Sequence, residues 1–191
     1  RVSDTTTLFK DISRPQVLIS GEVHGNERVG PVTSIITAQL LDLGAQCEIE
    51  ADKPSCAQLE AFNITKIQRS WLAYLATKRD IYILPAANCI GYHKNTREDL
   101  GIDPNRDFSY CRKNGHCFKS LTARTFRALF ANSLIQLVTT FHGGMEAIGY
   151  EWGTTNKRGT PNDKSPDHNS HRQIASILSK FSGGFGKSSP Y

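Results

Sequence analysis

Short apolar runs and longer, spaced apolar series alternate along this chain, and the alternation predicts its elements. Val17-Leu18-Ile19, Ile81-Tyr82-Ile83-Leu84 and Leu134-Ile135-Gln136-Leu137-Val138 are short runs rich in β-branched residues, the pattern of strands buried in a sheet. They predict strands over Gln16–Ser20, over Asp80–Leu84 with Pro85 as the stop, and over Leu134–Phe141, followed by a short one over Ala147–Trp152. Between them, Val29, Val32, Ile35, Ile36, Leu40 and Leu43 recur at helical spacing. That series predicts a helix from Arg28 to about Leu43, with Pro31 tolerated in the first turn and Gly44 as the terminator. Ile64, Ile67, Trp71, Leu72 and Leu75 predict a second helix over Asn63–Lys78 with one apolar face. Leu121–Ala131 reads as a third helix and His171–Lys180 as a fourth.

The remaining stretches are polar or broken. Residues 1–15 read as an irregular lead-in, 44–57 as a surface loop or short hairpin, 88–118 as a long aperiodic loop, and 153–170 as turns. An aperiodic stretch as long as 88–118 inside a compact domain is usually functional. Strand, helix and strand in succession argue for an α/β fold, a mixed and largely parallel central sheet flanked by helices.

Composition narrows this picture only a little. At 191 residues and 21.2 kDa the chain fits one domain with a core of its own. A hydrophobic fraction of 38% and a mean hydropathy of −0.40 are those of a globular protein, and no apolar run reaches membrane-span length. The net charge of +5 comes from scattered lysines and arginines without aromatic interleaving, which argues against a nucleic-acid surface. Arg1 in place of an initiator Met suggests a processed or trimmed chain, so the lack of a signal peptide does not decide the compartment.

Chemistry concentrates where strands end. Gly21-Glu22-Val23-His24-Gly25-Asn26-Glu27-Arg28-Val29-Gly30 follows the first strand. An imidazole and a carboxylate three residues apart on a glycine-flanked turn converge on one point and suit one divalent cation. A catalytic zinc takes three protein ligands and keeps a fourth position open. His142, which closes the third strand and opens the turn Gly143-Gly144, is the candidate for the third. Open α/β sheets place their sites past such strand ends. Inside the long loop, Arg97 and Arg106 carry planar forks suited to a carboxylate, and Asn105 adds amide donors beside them.

The five cysteines are an odd count; Cys47 with Cys56 and Cys111 with Cys117 are spaced to close short loops, and Cys89 reads as a buried thiol. His116 lies between Cys111 and Cys117, in what reads as a plain or disulfide-closed loop rather than a metal knuckle. His168 and His171 read as solvated helix-start residues, and His93 as a residue near the site. Asn63-Ile64-Thr65 is an N-glycosylation acceptor pattern. Localisation stays open, leaning towards secreted or extracytoplasmic.

His24-Gly25-Asn26-Glu27, Asn88-Cys89-Ile90-Gly91-Tyr92, Asn95-Thr96-Arg97, Asp103-Pro104-Asn105-Arg106-Asp107-Phe108 and Phe141-His142-Gly143-Gly144 together resemble the zinc metallocarboxypeptidases, the carboxypeptidase A/B and N/E superfamily, in order and spacing over about residues 16–153. The resemblance implies one zinc ion held by His24, Glu27 and His142, with Asp103 orienting the first histidine. It implies that Arg97 polarises the scissile carbonyl and that Asn105 and Arg106 bind the terminal carboxylate of a peptide or protein substrate. The glycine turn after His142 is nearer the N/E branch, and Asp107 stands where the family more usually has Asn. The family's catalytic glutamate and substrate-capping tyrosine fall beyond Tyr191. The chain is therefore expected to be the N-terminal part of a catalytic domain, hydrolysing little by itself. Two other readings share these patterns: an aspartoacylase-like zinc deacylase of N-acyl amino acids, and a catalytically silent binding module on the same scaffold. The Asn88–Tyr92 turn and the glycines after His142 favour the peptidase.

Overall fold

A computed structural model of the chain describes residues 13–108, 115, 117–150 and 164–182, together with the backbone of 188–190. The chain divides into two compact units, Arg1–Gly143 and Gly144–Tyr191.

The first unit holds β1 (Gln16–Ser20), α1 (Val29–Ile49), α2 (Lys53–Ala61), α3 (Lys66–Lys78), β2 (Asp80–Leu84), α4 (Cys89–Lys94), a single 3₁₀ turn at Pro104–Arg106, α5 (Leu121–Ala131) and β3 (Ile135–Thr140). Its sheet has the order β2-β1-β3 with both pairings parallel, Leu18 lying opposite Tyr82 on one side and Val138 on the other. The strands form where the apolar runs placed them. Parallel strands need covering on both faces, because their crossovers put helices there. Leu18, fully buried, packs with Val23, Ala87 and Phe126 of α5, and Tyr82, Leu84, Phe108 and Ile135 close around them. Alternate positions such as Ile81 turn to the opposite face, where α1 and α3 lie against β1 and β2. The fold is α/β, a three-stranded parallel sheet flanked by helices.

Helix lengths depart from the pattern for local reasons. Gly44 does not end α1, which runs on to Ile49. A Cβ at position 44 would come within 2.5 Å of Leu72 Cβ, so the glycine is where α3 crosses close to α1. The buried stripe of α1 is Gly30, Pro31, Ser34, Leu41, Gly44 and Cys47, while Val29, Val32, Ile35 and Ile36 stay exposed. The apolar spacing there marks a flank of the helix rather than its buried face. In α3 likewise Ala73 and Ala76 are buried, and Ile67, Trp71 and Leu75 are not. That helix starts three residues later than expected because Thr65 caps it: its hydroxyl accepts Gln68 N–H, and Gln68 Oε1 accepts Thr65 N–H at 2.8 Å.

The stretch 44–57 contains no hairpin; it completes α1 and begins α2, with Asp52 accepting Ser55 N–H at 3.2 Å as the N-cap. The Cys47–Cys56 disulfide ties the two helices as the spacing anticipated. Cys117 is a free thiol; Cys111 and His116, and with them the expected second loop closure, lie outside the described residues. Cys89 is exposed rather than buried, since its neighbour Asn88 takes the inward position at the start of α4. The long loop also carries more order than its lack of rhythm suggested, namely α4 and the 3₁₀ turn.

The second unit contains β4 (Ile148–Tyr150), α6 (His168–Phe181) and β5 (Ser188–Pro190), with β4 and β5 parallel. The helix begins three residues before its expected start, and His168 and His171 are half-buried beside the Tyr150 ring, at centroid distances of 6.1 and 6.3 Å, instead of being solvated. Trp152 and most of the expected turns over 153–170 lie outside the described residues. No helix among the described residues is long and apolar enough to cross a membrane.

Candidate metal centre

The carboxyl ends of the three parallel strands are tied together by the chain leaving them. Gly21 N–H donates to Leu84 O at 3.0 Å and Phe141 N–H to Ser20 O at 2.8 Å. The turn after β1 is tight: a Cβ on Gly25 would stand 2.1 Å from Gly91 C, so only glycine lets this turn lie against α4. Its backbone is closed by Glu27 N–H donating to His24 O at 3.1 Å.

This turn brings His24 and Glu27 onto His142 from β3. His24 Nδ1 lies 2.8 Å from Glu27 Oε1, His142 Nδ1 lies 2.9 Å from Glu27 Oε2, and the two Nδ1 atoms are 3.2 Å apart. The three side chains offer ligand atoms all within 4.8 Å of one another. Two ring nitrogens facing each other at this distance can share only one proton, an arrangement that suits a cation better than a hydrogen bond. Zinc with ligands at about 2.0–2.1 Å in a tetrahedron spaces its donors by roughly 3.3 Å, and the observed spacings lie near that figure. Two imidazoles and one carboxylate make a donor set that fits a catalytic zinc site.

The electrostatics prepare the donors. Burial would raise the Glu27 carboxyl, but Gly143 N–H at 3.0 Å, the His24 hydrogen bond and the two imidazoles hold it below its ordinary value. His142 is exposed at its edge, yet its ring nitrogen is turned into the cluster. Burial, with His24 and Arg97 assisting and Glu27 opposing, pushes it down and favours the neutral, ligating form. His24 is 3% exposed, and its far nitrogen Nε2 lies 3.2 Å from Asp103 Oδ1. Were a cation to take Nδ1 away from Glu27, the Asp103 carboxylate would hold the remaining ring proton on Nε2. Burial would raise Asp103 as well, but Arg97, Asn105 N–H and His24 hold its carboxyl below the usual range.

Arg97 stands beside the cluster. Its Nε and Nη2 reach Asp103 Oδ2 at 3.0 and 2.9 Å, and Nη1 lies 3.6 Å from Glu27 Oε1. Its side chain keeps 44% of its surface exposed, so the fork is open on one side. Asn105 joins the network through its backbone N–H, which donates to Asp103 Oδ1 at 2.9 Å. Arg106 is exposed and donates to the Asn105 carbonyl at 3.1 Å. His93 is exposed near the end of α4. The structure thus gathers His24, Glu27, His142, Arg97 and Asp103 into one hydrogen-bonded group, with Asn105 attached by its backbone.

Three further carboxylates carry weight that residue spacing does not reveal. Asp107 Oδ2 accepts Ser120 N–H and Oγ–H at 2.7 and 2.8 Å, and Asp99 Oδ2 accepts Thr122 N–H and Oγ1–H at 2.8 and 2.9 Å. These two pin the ends of the 99–107 loop to the start of α5. Glu22 is fully buried with no partner on either oxygen. The signal for the first pair was the run of short polar residues at Ser120 and Thr122 opening a helix; nothing in the sequence marks Glu22 as inward-facing.

The sequence profile of the zinc carboxypeptidases matches residues 2–184, nearly the whole chain. The chain belongs to the zinc carboxypeptidase family. Among solved structures, carboxypeptidase A from Helicoverpa armigera superposes with a TM-score of 0.62 at 18% identity, over 92% of this chain and 43% of that one. A product-bound ectoine utilization protein, EutE (DoeB), from Ruegeria pomeroyi gives a TM-score of 0.41 at 19% identity, over 73% of this chain and 36% of that one. No curated protein matches the sequence. The likeness to the insect enzyme shows the carboxypeptidase fold, and the chain spans less than half the length of either solved structure.

Proposed function

We propose that this zinc carboxypeptidase family member serves the zinc-dependent removal of the C-terminal residue from peptides or proteins. The observation that carries the reading is the convergence of His24, Glu27 and His142, with two ring nitrogens 3.2 Å apart and a carboxylate behind His24. These three residues would hold one zinc ion, which supplies a Lewis acid and an activated water for peptide hydrolysis. Asp103 keeps His24 in the tautomer that presents Nδ1. Arg97 has its open side free to meet a carbonyl oxygen as negative charge builds on it. Asn105 and Arg106, on the same loop, would grip the free carboxylate that distinguishes a chain terminus. The proton acceptor of the reaction is not assigned to any of the 191 residues.

Elemental analysis of the purified chain beside His24→Ala and His142→Ala tests the ligand set: near-stoichiometric zinc is expected in the parent and loss in both variants. A parent that takes up no zinc when folded with it would sink the reading. On the full-length protein, amidating a peptide's C-terminus should reduce kcat/KM by about 10- to 100-fold, the worth of one or two charge-assisted hydrogen bonds. Equal cleavage of free and amidated peptides, or cleavage of N-acyl amino acids alone, would point away from a carboxypeptidase.

A further inference from the structure

We infer that Asn88 is a positioning residue that locks Arg97 in register with the metal-binding turn, an inference that rests on the role proposed for Arg97. Asn88 is 1% exposed and lies at the start of α4. Its Oδ1 accepts Gly91 N–H at 2.9 Å, and its Nδ2 donates to Arg97 O at 3.2 Å and to Val23 O at 3.4 Å. The amide's orientation follows from its neighbours, since an N–H faces one side and two carbonyls face the other. Val23 immediately precedes His24. From the same turn, Gly25 N–H donates to Arg97 O at 3.3 Å. One buried amide therefore clamps the backbone before the first ligand to the backbone of the arginine.

The clamp has little freedom to slide. Asn88 N–H also donates to Glu22 O, and Asn88 O accepts Tyr92 N–H, both at 2.9 Å. A Cβ on Gly91 would lie 2.6 Å from Asn88 Nδ2. The Arg97 guanidinium is half exposed and hangs on a long flexible side chain, so its backbone anchor decides where the fork can reach. A displacement of about 1 Å in a group that stabilises a transition state lowers a rate by as much as about 100-fold.

The test uses Asn88→Asp and Asn88→Ser in the full-length, zinc-loaded protein, each alone and combined with Arg97→Ala. Asp keeps the shape and the Gly91 bond but sets an oxygen against two carbonyls. Ser retains a helix cap without reaching either carbonyl, and serves if Asp prevents folding. The expected result is a fall in kcat of about 10- to 100-fold, unchanged zinc content, and little further loss in the Arg97→Ala background. By hydrogen exchange, the Gly25 amide should exchange about tenfold or more faster in Asn88→Ser, while the Leu18 amide keeps its protection. Losses that add fully to that of Arg97→Ala, or a general loss of protection, would overturn the positioning role and leave that of Arg97 standing. An Arg97→Ala variant with parental kcat would overturn both.

Discussion

Replacing Glu22 with Gln should stabilise the fold at neutral and alkaline pH and leave it nearly unchanged in acid. Glu22 has no exposed surface, its two oxygens have no hydrogen-bond partner, and burial, opposed in part by the Arg28 charge, pushes its carboxyl from 4.5 up to about 7. Below the unfolded value both states hold the proton, and burial adds no ionisation penalty. Between 4.5 and about 7 the unfolded chain has released its proton and the folded chain has not, so stability falls as pH rises. Above that window the full penalty is present, roughly 3 kcal/mol at ~1.36 kcal/mol per pH unit. Gln removes this dependence while keeping size and shape. The assay is urea unfolding of parent and Glu22→Gln with a chelator present, at pH 5 and pH 8, so that metal linkage drops out and every shared titration cancels in the difference. The variant should gain about 2–3 kcal/mol relative to the parent between those pH values, a midpoint shift of about 1 M urea or more. Curves that stay parallel to within about 0.5 kcal/mol would refute the idea that this carboxylate is buried unpaired.

Two further substitutions test how the site is held. Gly25→Ala would place a methyl group 2.1 Å from Gly91 C; the turn must move, and a loss of about 2–3 kcal/mol in denaturation together with zinc affinity weakened about tenfold or more is expected. Asp107→Ala leaves the buried Ser120 N–H and hydroxyl without their acceptor, lowering stability by about 2 kcal/mol at neutral pH by thermal unfolding. Burial opposes ionisation of Asp107, but the N–H groups of Ser120 and Lys119, the Ser120 hydroxyl and the Lys119 charge hold its carboxyl below the ordinary value. Its contribution is therefore present above about pH 4 and disappears as pH falls through the folded value, so parent and variant should converge in acid.

How much of this was legible depended on whether a signal was local. Each of the strands β1 and β2 was readable to its ends because a short apolar run was bounded by a proline or a glycine within the same few residues. The convergence of His24 and Glu27 was readable because their spacing on a strand-end turn is a local feature, and that of His142 because it follows a strand in its own right. The α1 and α3 faces were misread since burial there follows close helix crossing, which selects Gly44, Ala73 and Ala76 over the larger apolar residues. Asn88, Asp99 and Asp107 act on partners 9 to 65, 23 and 13 residues away through one or two hydrogen bonds to each partner, and no periodicity records such a contact.

The strand order explains why one turn serves so many partners. With β1 central, its carboxyl end faces two neighbours at once, β2 on one side and β3 on the other. His142 arrives from β3 and meets Glu27 at 2.9 Å, whereas Arg97 and Asp103 arrive from the chain beyond β2 and meet Glu27 and His24 from the other side. Were β1 at an edge, the His24–Glu27 turn would have one neighbour only, and either the third ligand or the arginine would have to cross a strand about 4.8 Å wide to reach it. The two sides are held differently. On the β2 side a buried amide and a glycine contact fix the arginine through protein groups alone. On the β3 side the link runs through Glu27, which accepts from Gly143 and faces both imidazoles. Glu27 therefore joins the turn after β1 to the turn after β3, and under the proposed zinc site anything that displaces its carboxylate would weaken metal affinity as well.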